Sequence, residues 1–216
     1  MTMLLVNFKR YDEVMYGGGS LRLAKAAETV SQMYGVEIAV APPAEHLGIA
    51  GEISIPIFAQ YVDAANMTAE KIKSFGARGA IINHSDYKIP EGEVLHFVND
   101  ARRAGLTSVV CVNSVAEAQA YVSFKPDYMA IEPDNLIGTG KSVSTTRPDA
   151  ISDLADLLMR HGMEGRAMCG AGISNEDDVR KALEFGAAGG VLVSSAVVKA
   201  KDWQGKIEEL ARGFRG

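Results

Sequence analysis

Glu132 stands directly before Pro133 in the stretch IEPDNLIGTG, Ile131 to Gly140, at the lip of an apolar run and ahead of a Gly-Thr-Gly loop. A desolvated carboxylate in such a place suits proton abstraction from carbon, provided that something closes over it and excludes water. Asn7-Phe8-Lys9 ends a second apolar run and offers an amide and an ammonium two residues apart. His84, within Asn83-His84-Ser85-Asp86, follows a third run. Its imidazole can donate to an oxygen on which charge develops. Gly170-Ala171-Gly172-Ile173-Ser174 and Ser194-Ser195 are small residues whose backbone N–H groups can come close to an anion. Taken singly, each has an ordinary reading: Asn7 caps a turn, Lys9 is solvated, His84 is a satisfied core histidine, Glu132 is a strand-exit acid, and Ser194-Ser195 caps a helix. The chemical reading gains weight only if one scaffold brings all of them to one rim.

The apolar runs supply that scaffold. They fall at Leu4–Phe8, Glu37–Ala41, Ile57–Ala59, Gly79–Ile82, Thr107–Val112, Tyr128–Ile131, Arg166–Cys169 and Gly190–Val193. None alternates cleanly with polar residues, which marks strands buried on both faces, as in a parallel sheet. Helical stripes lie between most of them. Leu21, Ala24, Ala27 and Val30 precede Gly35; Val94, Phe97, Val98 and Ala101 precede Gly105. Ile151, Leu154, Leu157 and Leu158 precede Gly162, and Val179, Ala182 and Leu183 precede Gly186. Each glycine suits a left-handed helix stop.

About eight β/α units without a Pro/Ser-rich linker predict one α/β domain over 1–216, a single (β/α)8 barrel of parallel strands. Such barrels typically take about 250 residues, with a floor near 200, so the outer helices are expected to be trimmed. A doubly wound open sheet is the rival, but no G-x-G-x-x-G follows the first strand. Gly17-Gly18-Gly19 is read instead as a flexible entry to the first helix with Ser20 as its N-cap, and Ser174-x-x-Asp177 as a capping box. In a barrel the site forms at the C-terminal strand ends, and the loops after strands seven and eight recurrently hold phosphate.

Composition narrows the partners. The 216-residue chain is 47% hydrophobic and 23% charged, with a formal net charge of −5. That sign argues against nucleic acid or an anionic membrane, and it requires a local cation wherever an anionic substrate binds. Cys111 and Cys169 show no metal or CxxC spacing and fit free thiols in a reducing cytoplasm. The N-terminal apolar run is too short for a signal peptide, and no stretch approaches a membrane span.

Several stretches together resemble the triosephosphate isomerase family in its short archaeal form: VNFK (Val6–Lys9), VAPP (Val40–Pro43), FAQYVD (Phe58–Asp63), INHSD (Ile82–Asp86), VVCVN (Val109–Asn113), IEPDNLIGTGKSVS (Ile131–Ser144), CGAGIS (Cys169–Ser174) and GGVLVSSAVVKAKD (Gly189–Asp202). They span nearly the whole chain in family order. The resemblance implies a TIM barrel and an isomerase of glycolysis and gluconeogenesis that interconverts dihydroxyacetone phosphate and D-glyceraldehyde 3-phosphate. It implies Glu132 as general base, His84 as electrophile and Lys9 as the electrostatic group, the pairing of a Glu base with a neutral His being established for that family. Asn7 and Lys9 then contact substrate, Ile137 and Gly138 belong to the lid, and Gly172, Ser174, Ser194 and Ser195 hold the phosphate. No metal or cofactor is implied. A homodimer or homotetramer is expected, because the loop Asn66–Glu70 resembles the one that family dimers insert into a partner. A Met67-Thr68 loop on a shortened barrel is expected to expose an apolar face until it meets that partner.

Three departures from the family pattern stand out. Asp86 replaces the usual Glu after His-Ser, Ala69 replaces a common glycine, and Ser194-Ser195-Ala196 replaces Ala-Ser-Gly. Two other readings can be set against this one. An aldolase wants a Schiff-base lysine in strand six, but Tyr128-Met129-Ala130-Ile131 has none. A non-catalytic phosphosugar binder would be expected to have lost Glu132 or His84, and both are present.

Overall fold

The structure, a computed structural model, describes residues 2–136, 139 and 141–215. Eight parallel strands run β1 Met3–Asn7, β2 Glu37–Ala41, β3 Phe58–Ala59, β4 Gly79–Ile82, β5 Thr107–Val112, β6 Tyr128–Ile131, β7 Ala167–Cys169 and β8 Gly190–Val193. Their order is β2-β1-β8-β7-β6-β5-β4-β3. The two ends of that order meet through a parallel bridge between Val40 and Ile57, with Val40 N–H donating to Pro56 O at 3.0 Å. The sheet is thus a nearly closed (β/α)8 barrel, as the apolar runs predict.

Both faces of the strands are buried, which explains the absence of alternation in sequence. Met3, Leu5, Ala39, Ala41, Ile81, Val109, Cys111, Ala130, Met168 and Leu192 fill the barrel interior. Their neighbours Leu4, Val6, Ile38, Val40, Ile82, Val110, Ile131 and Val191 pack outward under the helices. Strand boundaries differ slightly from expectation. β1 begins one residue early because Met3 N–H reaches Gly189 O at 3.1 Å. It ends at Asn7, after which Lys9 turns to φ 49°.

The outer layer is trimmed as expected. After β2 there is only the 3-10 turn Ala44–Gly51, and after β3 the six-residue helix Ala69–Ser74. The helices Gly19–Tyr34 and Glu91–Ala104 end at Gly35 and Gly105, both left-handed. Gly162 and Gly186 also take positive φ at the ends of Pro148–Arg160 and Glu176–Glu184.

Two local expectations fail. Ser20 is not an N-cap: Gly18 caps the helix, and Ser20 lies inside it, donating to Val14 O at 3.0 Å. Met67 is not displayed to a partner but is 5% exposed. Its loop closes on itself, with the N–H groups of Ala65, Asn66 and Met67 all donating to Asp63 Oδ1. The large apolar side chains left exposed are elsewhere, Tyr16 and Met33 foremost.

Candidate active site

Strand periodicity places the site. Met3 and Leu5 point into the barrel, so Asn7 follows on the inner face; Ala130 leads likewise to Glu132, Met168 to Gly170 and Leu192 to Ser194. These residues ring the C-terminal mouth around a cavity of about 420 Å³. Its walls include Lys9, His84, Glu132, Gly172, Ser194 and Lys199.

Glu132 is 5% exposed. Its N–H donates to Val112 O at 2.7 Å, which extends the β5–β6 ladder by one rung. Its Oε1 lies 3.7 Å from His84 Nε2. Oε2 is buried and has no hydrogen-bond partner among the described residues. Gly170 makes room for the side chain, since a Cβ there would sit 2.5 Å from Glu132 Cγ.

His84 is held more firmly. Asp86 N–H donates to Nδ1 at 3.2 Å. A ring nitrogen that accepts carries no proton, so the network assigns the proton to Nε2, the atom facing the cavity and Glu132. Asn7 Nδ2 lies 3.3 Å from Nε2, and its amide is oriented by Lys9 N–H, which donates to Oδ1 at 3.0 Å. An imidazolium would confront the Asp86 N–H at Nδ1, whereas at Nε2 the Asn7 amide nitrogen, itself a donor, faces a proton in either state. The carboxylates of Glu132 and Asp86 pull toward the charged ring, but at 3.7 and 3.9 Å neither is within hydrogen-bond reach. Asp86 N–H is therefore the one hydrogen bond to the ring that requires an accepting nitrogen.

Lys9 adopts a left-handed backbone, uncommon outside glycine and a recurrent mark of functional sites. Its N–H rests on Asn7, and Gln60 Nε2 donates to its carbonyl at 3.0 Å. Lys9 Nζ donates to Asp86 Oδ1 at 3.0 Å. The shorter acid at 86 thus has two contacts, its backbone on the imidazole and its carboxylate on Lys9. Asn7, by contrast, is 1% exposed, and its amide nitrogen lies against the same ring nitrogen that faces Glu132.

The β7 and β8 exits form the opposite wall. Gly172 has φ 73°, and a Cβ on it would lie 2.0 Å from Lys141 O. Only glycine therefore lets this loop lie against Lys141 and Ser142. The N–H groups of Gly172 and Ser195 make no backbone hydrogen bond among the described residues. Ser194 Oγ is buried without a partner among the described residues. Ser174 is different, because its N–H and Oγ both donate to Asp178 Oδ2, at 2.9 and 2.8 Å. Asn175 caps the following helix and accepts from Asp178 N–H at 2.9 Å. The N-cap is therefore Asn175, and the carboxylate that reaches back is that of Asp178, onto Ser174, in place of the Ser174–Asp177 capping box expected. Ile137 and Gly138 lie outside the described residues.

Sequence reasoning assigned no role to Asn83, Gln60 or Lys199, and read Gly170 only as part of an anion-approaching loop. Asn83 (φ 60°) donates from Nδ2 to Cys111 O at 3.0 Å and Glu117 Oε1 at 2.9 Å, anchoring the loop that carries His84. A polar residue at a strand end was the visible signal for Asn83 and Gln60. For Gly170 the Gly-x-Gly exit was visible, but not its contact with Glu132 across the β6–β7 pair.

A carboxylate facing an imidazole at the mouth of a parallel (β/α)8 barrel, with a lysine beside them, is an arrangement able to take a proton from carbon beside a carbonyl, and the relatives of this chain are isomerases. The family model described as triosephosphate isomerase matches residues 2–210. The chain is 41% identical to the triosephosphate isomerase of Caldivirga maquilingensis, over 99% of this chain and 98% of that protein. It is 37% identical to that of Methanocaldococcus jannaschii, over 97% and 99%. Among solved structures, triosephosphate isomerase from Bartonella henselae superposes with a TM-score of 0.75 at 18% identity, over 100% of this chain and 99% of that one. This chain belongs to the triosephosphate isomerase family.

Proposed function

We propose that Glu132, His84 and Lys9 carry out in this chain the reaction of its family, the interconversion of dihydroxyacetone phosphate and D-glyceraldehyde 3-phosphate in glycolysis and gluconeogenesis. Glu132 takes a proton from C1 of the ketone while His84 Nε2–H donates to the carbonyl oxygen. The resulting enediolate carries its charge on oxygen, where the Lys9 ammonium offsets it. Glu132 then returns the proton to C2, while His84 Nε2, having given its proton to O2, takes the hydroxyl proton from O1, which leaves an aldehyde at C1 and a hydroxyl at C2. One carboxylate serves both carbons, so no second base is required.

The observation that carries this reading is the facing of Glu132 and His84 at 3.7 Å, with the far ring nitrogen already committed to Asp86 N–H. Gly172, Ser194 and Ser195 are assigned to the phosphate. Ser174 joins them only by giving up a bond to Asp178. Ile137 and Gly138 are assigned to the cover that excludes water, because an exposed enediolate phosphate eliminates its phosphate. The working unit is one domain, in the cytoplasm, assembled as a homodimer or homotetramer. A coupled isomerase assay on the purified chain tests the activity; absence of turnover in both directions refutes it. Sedimentation tests the assembly, and a fully active monomer at micromolar concentration refutes that part alone.

A further inference from the structure

Lys9 is not the sole ammonium at the cavity. Lys199 lines it too, from the β8 exit at the end of the short helix Ser195–Val198. The two differ in their partners. Lys9 Nζ lies 3.0 Å from Asp86 Oδ1, so a local carboxylate already offsets much of its charge. Lys199 pairs with no carboxylate among the described residues. Its Nζ lies 4.6 Å from the centroid of the Tyr11 ring. Tyr11 belongs to the β1 exit and lines the same cavity, and β1 and β8 are hydrogen-bonded neighbours.

We propose that Lys199 is a substrate-binding residue whose ammonium leaves the Tyr11 ring to contact the phosphate dianion. The inference rests on the phosphate assignment made above for the β7 and β8 loops. An ammonium over a ring at an exposed site is weakly held, whereas its hydrogen bond to a phosphate oxygen is charge-assisted and stronger. Exchange between the two therefore favours the phosphate. The reach is short. Lys199 N–H donates to Ser195 O at 3.1 Å, so the two residues are one helical turn apart, an axial rise of about 6 Å. Side chains on a helix lean toward its N-terminus, which directs Lys199 back over Ser195 and Ser194. The chain carries a net charge of −5, and a dianion entering this cavity otherwise meets only a lysine already paired. An unpaired ammonium at the mouth supplies both local compensation and attraction at a distance.

The test compares wild type with Lys199→Met, Lys199→Arg and Tyr11→Leu. It measures kcat, KM and competitive inhibition by inorganic phosphate at low and high ionic strength. Lys199→Met should raise KM and the phosphate inhibition constant about tenfold, the scale of one hydrogen bond to a charged group. It should leave kcat within about twofold and flatten the salt dependence. Lys199→Arg should restore binding. Tyr11→Leu removes the competing ring and should leave phosphate inhibition equal or tighter. An unchanged inhibition constant in Lys199→Met, with wild type active and inhibited, overturns the role of Lys199 alone. Inhibition weakened as much in Tyr11→Leu as in Lys199→Met overturns the exchange from the ring. A wild type that turns over but ignores phosphate removes the phosphate assignment and this inference with it.

Discussion

The exits of β4 and β6 face each other across 3.7 Å, yet they hold their functional side chains in opposite ways. At β4 the loop is tied down throughout. Asn83 bonds to Cys111, Glu117 and Ile89; His84 takes Asp86 N–H on its ring and Tyr87 N–H on its carbonyl. At β6 the backbone is anchored at Glu132 N–H and again at Asp134, which exchanges hydrogen bonds with Asn113, but between those anchors Glu132 Oε2 has no hydrogen-bond partner among the described residues. Space left by Gly170 confines it instead. The difference matches the two tasks. A donor to developing charge works best when it is already oriented, because reorientation during the reaction costs rate. A base that visits two carbons has to swing.

The largest effect should come from the mobile partner. Glu132→Gln removes the base, and no other acid lines the cavity among the described residues. Turnover should fall by about 10²–10⁴-fold, the usual worth of a general base. Inorganic phosphate should still inhibit, since its contacts lie on the opposite wall. Near-normal turnover would end the mechanism. Glu132→Asp keeps the charge but withdraws it by a methylene, and misplacement of about 1 Å costs on the order of 10²-fold.

Gly170→Ala comes next and tests confinement by space. The added methyl would lie 2.5 Å from Glu132 Cγ, so the carboxylate has to move. We expect kcat to fall by about tenfold or more with phosphate inhibition unchanged. Equal kcat would mean that the carboxylate is not confined by this contact. The fixed partner should respond differently. Asn83→Ala deletes two buried donor contacts and leaves an alanine at φ 60°. Stability should fall by about 1–3 kcal/mol in denaturant unfolding, with the loss in kcat tracking disorder of the His84 loop. If stability were intact, the β4 exit would not be rigid for the reason given.

This contrast also marks what the sequence made legible. The buried strands, the glycine helix stops and the rim residues Asn7, His84 and Glu132 are local patterns, visible as apolar runs ending in polar groups. Ser20 misleads because a serine inside the first turn looks like a cap when Gly18 can supply the left-handed start instead. Met67 misleads because nothing in its own segment shows that Asp63 folds the loop inward. That Ser174 gives both its hydrogens to Asp178 is likewise not visible in its own segment. Gly170, Tyr11 and Lys199 matter through partners on other strands, and their separation in sequence hides that.

The smallest effect concerns Cys111, which lies on β5 between the two exits. Its carbonyl accepts from Asn83, on the fixed side. Its thiol is pushed well above the ordinary value, by burial first and by Glu132, on the mobile side, second. Cys169, also fully buried, is pushed up to about 12, chiefly by burial. The thiolate is the reactive form, so both should label slowly in the native state and quickly once unfolded. The sign for stability follows from the raised values. Protonated thiols favour the folded chain, and that contribution is complete below the ordinary thiol range near 8.5–9 and is lost as pH rises from there toward 12. Unfolding should therefore become easier above about pH 9. Glu132→Gln separates the two causes acting on Cys111. If burial dominates, removing the carboxylate's charge should change the native labelling rate by no more than a few fold. A rate rising to that of a free thiol would mean that Glu132, rather than the closed barrel interior, protects Cys111.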